Sequence, residues 1–208
     1  MTLLVDLPAG YEAERTYVLD VVLGDMLGVP YAARVADRRD VRIRLAEDDG
    51  HREVLLPDVL FAAGRQAWLT AGTLPAEPLR WVEPRLPVLY GDARPEQALE
   101  RGPDRVRLTI DVLGSAFFML TRYEEVVRTE RDEHGRFPAS ASVAVRSAFL
   151  DRPIVDEYVD LLWAALSECW PRLRRRRTTY RVHLTHDVDH PFATLGVGPG
   201  AVARVANG

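Results

Sequence analysis

Apolar residues recur at two different periods along this chain, and a chain built that way has to combine helices with a sheet. Between residues 11 and 28, Tyr17, Val18, Val21, Val22, Met26 and Leu27 return at helical spacing with acids between them. That pattern predicts an amphipathic helix, ended by Gly28 and Pro30. Over residues 41–45 the period drops to two. Val41, Ile43 and Leu45 alternate with Arg42 and Arg44, as on a half-exposed strand. Tyr31–Val35 and residues 53–56 read as further strands, and Asp48-Asp49-Gly50 as a turn, so this region is expected to form a hairpin or meander. Residues 105–110 alternate again. Asp111 or Ser115 then caps a helix running to Arg128 that carries Phe117, Phe118, Leu120 and Tyr123. A third helix, capped by Asp156, buries Tyr158, Val159, Leu162, Trp163, Leu166 and Cys169. Residues 70–104 are rich in Pro and Gly and read as loops with short extended pieces at 79–82 and 87–90. Residues 129–139 read as a polar surface loop. The fold class expected is α/β with a mixed sheet.

The 208 residues suffice for one sizeable core, or for one domain and the beginning of another. An apolar fraction of 47% beside 28% charged residues excludes a disordered chain. The net charge of −4 argues against nucleic acid or an anionic membrane as partner. All 27 basic residues are arginine, scattered among 31 acids rather than gathered in one patch. The densest run, residues 174–177, follows the third helix at the negative end of its dipole and marks a domain boundary after residue 177. The single cysteine, Cys169, forms no internal disulfide and reads as a core thiol. There is no basic, apolar leader at the N-terminus and no apolar run of membrane-spanning length, so the chain is expected in the cytoplasm.

One cluster carries chemistry. Residues 179–184 alternate as a strand would, with Tyr180, Val182 and Leu184 on one side, and run directly into Thr185-His186-Asp187-Val188-Asp189-His190-Pro191. Residues two apart on an extended chain point the same way, so Asp187 and Asp189 would project together from the strand end. Two such carboxylates suit a divalent metal and a general base. The spacing His183-x-x-His186-x-x-Asp189-His190 is longer by one at each of its first two steps than the His-x-His-x-Asp-His of metallo-β-lactamase-like sites. A polar strand-to-turn segment is the structural alternative.

Thr185 to Pro191 resembles the first motif of the polysaccharide-deacetylase-like (NodB-homology) proteins. Three upstream stretches resemble the domain that precedes the catalytic domain in some bacterial members: Asp111-Val-Leu-Gly-Ser-Ala-Phe-Phe-Met-Leu-Thr-Arg-Tyr-Glu-Glu125, Arg131-Asp-Glu-His-Gly-Arg-Phe-Pro138 and Phe149-Leu-Asp-Arg-Pro-Ile-Val-Asp-Glu-Tyr158. The resemblance implies an N-terminal accessory α/β domain over residues 1–177. Residues 178–208 would then open a truncated deacetylase-like (β/α) barrel with its first strand. It implies Asp187 as general base and Asp189 as metal ligand, although the common motif has two adjacent aspartates where this chain has Asp187-Val188, and His186 replaces the usual aromatic. The cofactor implied is a divalent metal, zinc by preference, completed by histidines downstream of this chain. The substrate implied is an acetylated carbohydrate or related amide. The alternative is a non-catalytic glycan- or partner-binding module with a vestigial aspartate pair. In the upstream region, Arg122, Glu124, Glu125, Arg131, Asp132 and His134 read as an exposed helix face and solvated loop rather than a groove. Trp68, Trp81, Trp163 and Tyr90 read as packing rather than sugar-stacking residues.

Overall fold

The computed structural model describes residues 1–48, 51–83, 85–92, 97–177 and 179–187. The chain divides after Arg176 into two units, Met1–Arg176 and Arg177–Gly208.

The first unit is built on a six-stranded mixed sheet in the order β2-β1-β3-β4-β8-β7. β1 (Leu3–Leu7), β2 (Tyr31–Val35), β4 (Glu53–Pro57) and β8 (Arg105–Leu108) run one way; β3 (Asp40–Leu45) and β7 (Leu99–Arg101) run the other. β5 (Arg80–Val82) and β6 (Leu86–Val88) form a separate antiparallel pair. The strands at residues 41–45 and 53–56 do form the expected hairpin. Tyr31–Val35 does not join it, because β1 lies between β2 and β3 and pairs with β2 in parallel. β1 is almost wholly apolar and so shows no period-two alternation, as befits a strand buried on both faces.

The alternation in β3 sorts the sheet into two faces. Val5, Ile43, Val54 and Val106 stand in register across four strands, all nearly or fully buried. The opposite face carries Arg34, Asp6, Arg42, Leu55, Arg107 and Glu100 in register across all six strands. Asp6 is fully buried there, held by Arg34 at 2.6 Å, by Arg42 at 2.6 Å and by Arg44 at 3.2 Å. Burial alone would push its carboxyl up. Hydrogen bonds from Arg34 and Arg42, with the charges of Arg42 and Arg44, outweigh that and hold it at about 2.

The predicted helix at 11–28 is α1 (Glu12–Leu19) continued by wider π-helical turns over Asp20–Met26. The Leu27 N–H reaches back five residues to the Val22 carbonyl. The wider turn changes which rows face inward: Leu19 and Leu23 are buried, whereas Val21 and Met26 are half-buried and Tyr17 is exposed. Gly28 ends the helix with φ +64°, a conformation that costs glycine no Cβ clash. The helix predicted after Asp111 breaks in two, α2 (Val112–Leu120) and α3 (Tyr123–Val127), at Arg122, which has φ +53°. Two local bonds favour the break: Thr121 Oγ1 donates to the Phe117 carbonyl, and the Arg122 guanidinium pairs with Glu125. After α4 (Val143–Arg146), α5 (Ile154–Cys169) packs on β4, β8 and α2. Its N-cap is Pro153, not Asp156, which sits with Glu157 in the first turn where acids suit the dipole. The predicted stripe on α5 is buried apart from the half-buried Trp163. Burial pushes the Cys169 thiol up, as befits a core thiol. Among the described residues, no helix is long and apolar enough to cross a membrane.

In the second unit the described residues, 177 and 179–187, carry no helix or strand. The strand expected at 179–184 is therefore not formed there. Tyr180, Val182 and Leu184 are 93%, 64% and 89% exposed, so the apolar side expected of that strand is not buried.

Candidate functional site

β1, β4 and β8 end on the same edge of the sheet, the edge where open α/β sheets place ligands. β4 and β8 each lead into a buried carboxyl there, and α1, which follows β1, adds Arg15. Asp58 follows β4 directly and lies buried against Arg15 of α1. The pair is bidentate, with Nη1–Oδ1 at 2.7 Å and Nη2–Oδ2 at 2.8 Å. The Arg15 Nε donates to the Gly10 carbonyl, and its guanidinium lies 4.8 Å from the centre of the Phe61 ring.

Asp111 follows β8 and caps α2. Oδ1 accepts from the Gly114 N–H at 2.8 Å, and Oδ2 accepts from Val59 at 2.8 Å and Leu60 at 3.1 Å. One carboxyl thus ties the loop after β4 to the start of α2. Complete burial pushes it up and the nearby Asp58 charge adds to the rise, against which the three N–H donors act; the balance stands at about 6. Gly114 is dictated by this cap. A Cβ there would stand 2.4 Å from Asp111 Oδ2 and 2.8 Å from Leu60 Cβ.

Beside these groups the surface opens into a cleft of about 380 Å³, floored by Leu60, Leu74, Val88, Leu89 and Tyr90. Its hydroxyls are spent internally. Tyr90 donates to the Thr73 carbonyl at 2.6 Å, and Thr73 Oγ1 donates to the Thr70 carbonyl at 2.9 Å. Tyr123 therefore donates to Thr73 Oγ1 at 2.8 Å while accepting from the Leu69 N–H. Burial raises the Tyr90 phenol well above its ordinary value. Arg80 is the one charged side chain among the described residues lining the cleft; its guanidinium donates to the Asp92 carbonyl and, among the described residues, pairs with no carboxylate.

The residues singled out in the sequence fall elsewhere. Asp187 is exposed, as are His183 and His186, while Asp189 and His190 lie outside the described residues. Among the described residues, no group of three or more His, Cys, Asp or Glu is placed to hold a metal ion. Arg122, Arg131, Asp132 and His134 are exposed, as expected. Glu124 is not. It is 7% exposed and accepts from the Val143 N–H, Arg128 and Arg146. It turned inward because the break at Arg122 reorients α3. Trp68 packs among Tyr11, Phe61, Phe117 and Tyr123, and Tyr90 is buried. Arg175 lies over Trp163. Trp81 is 42% exposed beneath Arg152, so it is less a packing residue than expected. Arg15, Asp58, Arg80 and the role of Asp111 escaped the sequence reading. A signal existed for two of them: Asp58 and Asp111 each follow an apolar strand, the same placement that singled out Asp187.

A family model matches residues 3–171. The chain belongs to DUF7033, a family of unknown function. No curated protein and no solved structure matches it. The DUF7033 match spans β1 to the end of α5 and takes in the cleft, Arg15, Asp58 and Asp111, but not Asp187.

Proposed function

We propose that the DUF7033 unit is the accessory domain of a metal-dependent hydrolase resembling the polysaccharide deacetylases, acting in the cytoplasm on acetylated sugars or related amides. Thr185 to Pro191 would then open the catalytic segment and its barrel. The observation that carries this reading is the commitment of every buried acid described in the DUF7033 unit. Asp6 is held by three arginines, Asp58 by Arg15, Asp111 by three N–H groups, and Glu124 by Val143, Arg128 and Arg146. None is left to move a proton for a substrate. Asp187 is exposed and lies in the segment that resembles the deacetylase motif, and we assign that work to it.

In this reading Asp187 takes a proton from water as the water oxygen bonds to the acetyl carbon. The bond from that carbon to the sugar nitrogen or oxygen breaks as the proton held by Asp187 passes to the departing atom, giving acetic acid, which ionises to acetate, and a free amine or hydroxyl, with Asp187 returned to its carboxylate form. The described residues do not by themselves make a metal site; Asp189 is the ligand this chain offers to a divalent ion, zinc by the resemblance, whose chemistry is to acidify bound water.

The test is acetate release from acetylated oligosaccharides by the product of the full reading frame, with and without a chelator. Chelator-sensitive release that is lost in Asp187→Asn supports the proposal. No release, in a reading frame without further metal-binding histidines, rejects it in favour of a non-catalytic binding module.

A further inference from the structure

We infer that the cleft beside β5 and β6 is a binding site for a small amphipathic carboxylate, an organic acid with an apolar chain or ring. The inference uses none of residues 177–208 and goes beyond the hydrolase reading. Its volume of about 380 Å³ is in the range of small-molecule sites. It lies at the carboxyl ends of β4 and β8, where Val59 and Leu60 leave the sheet and Gly91 bridges to Ile110.

The lining selects the ligand class. Leu60, Leu74, Val88 and Leu89 give an apolar floor, suited to a hydrocarbon body. The Tyr90 and Thr73 hydroxyls offer a neutral polyhydroxyl ligand little, because they are already engaged. Among the described residues, the single charge in the lining is the guanidinium of Arg80, which contacts one backbone carbonyl and no acid. This sets Arg80 apart from its neighbour Arg107, paired with Asp92 at 2.5 Å and with Glu100 at 3.4 Å. A planar guanidinium with free N–H groups matches a carboxylate in charge and shape. An apolar floor below one cationic rim group fits an acid with one anionic head.

The site can be probed with hexanoate by following backbone amide shifts of the intact chain during titration. Saturable shifts at Leu60, Thr73, Val88 and Gly91 are expected. Acetate, which lacks the tail, should bind at least about tenfold more weakly, and hexylamine should not bind. Arg80→Met should weaken hexanoate about tenfold, the size of one charge-assisted bond, and leave hexanol within about twofold. Arg80→Lys should restore much of the loss. Ala76 is exposed on the cleft wall, and Ala76→Trp should block both hexanoate and hexanol. Because Arg80 is exposed, the affinity for hexanoate should fall as NaCl is raised. Non-saturable shifts, shifts centred elsewhere, equal binding of hexylamine, or an Arg80→Met variant with unchanged hexanoate affinity would each overturn the assignment. None of these results bears on acetate release through Asp187.

Discussion

Replacing Asp111 with asparagine separates the two forces that act on this carboxyl. The amide keeps the shape of the side chain and one acceptor oxygen. Placed where Oδ2 stands, that oxygen still receives the Val59 and Leu60 N–H groups, but the Gly114 N–H then faces an NH2 group. One orphaned buried donor costs about 1–3 kcal/mol. The pH dependence follows from burial, which raises the carboxyl from 3.8 to about 6 in the folded chain. The folded state therefore holds this proton more tightly than the unfolded one. The stability so contributed is fully present below pH ~4 and is lost as pH rises through ~6; two pH units correspond to about 3 kcal/mol. Asparagine has no proton to lose. Asp111→Asn should thus be less stable than the natural protein by about 1–3 kcal/mol near pH 4.5, and should equal or overtake it near pH 7.5. Urea unfolding followed by tryptophan fluorescence at the two pH values measures the gap, provided the slopes agree. Other carboxylates titrate in both proteins and cancel. A gap that widens as pH rises would refute the reasoning, because it would mean that the three N–H donors outweigh burial and hold the carboxyl below its ordinary value.

Two further outcomes are expected. Arg15→Met strands the buried Asp58 carboxylate and should cost about 3–5 kcal/mol in urea unfolding, while Arg15→Met combined with Asp58→Leu should recover most of it; a single variant within 1 kcal/mol of the natural protein would show that Asp58 finds another partner. The amides of residues 180–187 should exchange with deuterated water at nearly the rate of an unfolded peptide, given the exposure of Tyr180, Val182 and Leu184; slow exchange throughout that stretch would contradict it.

Periodicity revealed those parts of the fold in which one face is buried and the other wet. β3 was readable from Val41, Ile43 and Leu45, and α5 from its stripe, because each element has a polar side to contrast with an apolar one. β1 was not, since Leu3-Leu4-Val5 carries no contrast, and missing it misplaced β2 beside β3. The break at Arg122 was hidden for a different reason. A left-handed arginine is stabilised by contacts outside its own residue, and Tyr123-Glu124-Glu125 reads as a helix either way. Asp111 was legible as a cap, but its bonds to Val59 and Leu60 cross more than fifty positions of chain, a separation no local pattern reports. The cleft was invisible for the same reason: Leu60, Thr73, Arg80 and Val88 are gathered by two sheets and a short helical turn at Ala71–Thr73.

The charges of the DUF7033 unit divide into two groups, and the division bears on what the unit can do. Its described buried acids are each neutralised by donors that the fold itself supplies, which makes them structural ties between strands, helices and loops rather than reagents. Arg80, at the cleft, is a charge that no described acid neutralises. A unit whose described buried carboxylates are committed and whose cleft presents Arg80 suits the anion-binding role inferred for that cleft. In the proposed hydrolase, the acid–base chemistry is assigned to Asp187. Ligand recognition at Arg80 and proton transfer at Asp187 thus become separable by mutation: Arg80→Met should leave chelator-sensitive acetate release intact on substrates that do not bind the cleft, and Asp187→Asn should leave hexanoate binding unchanged.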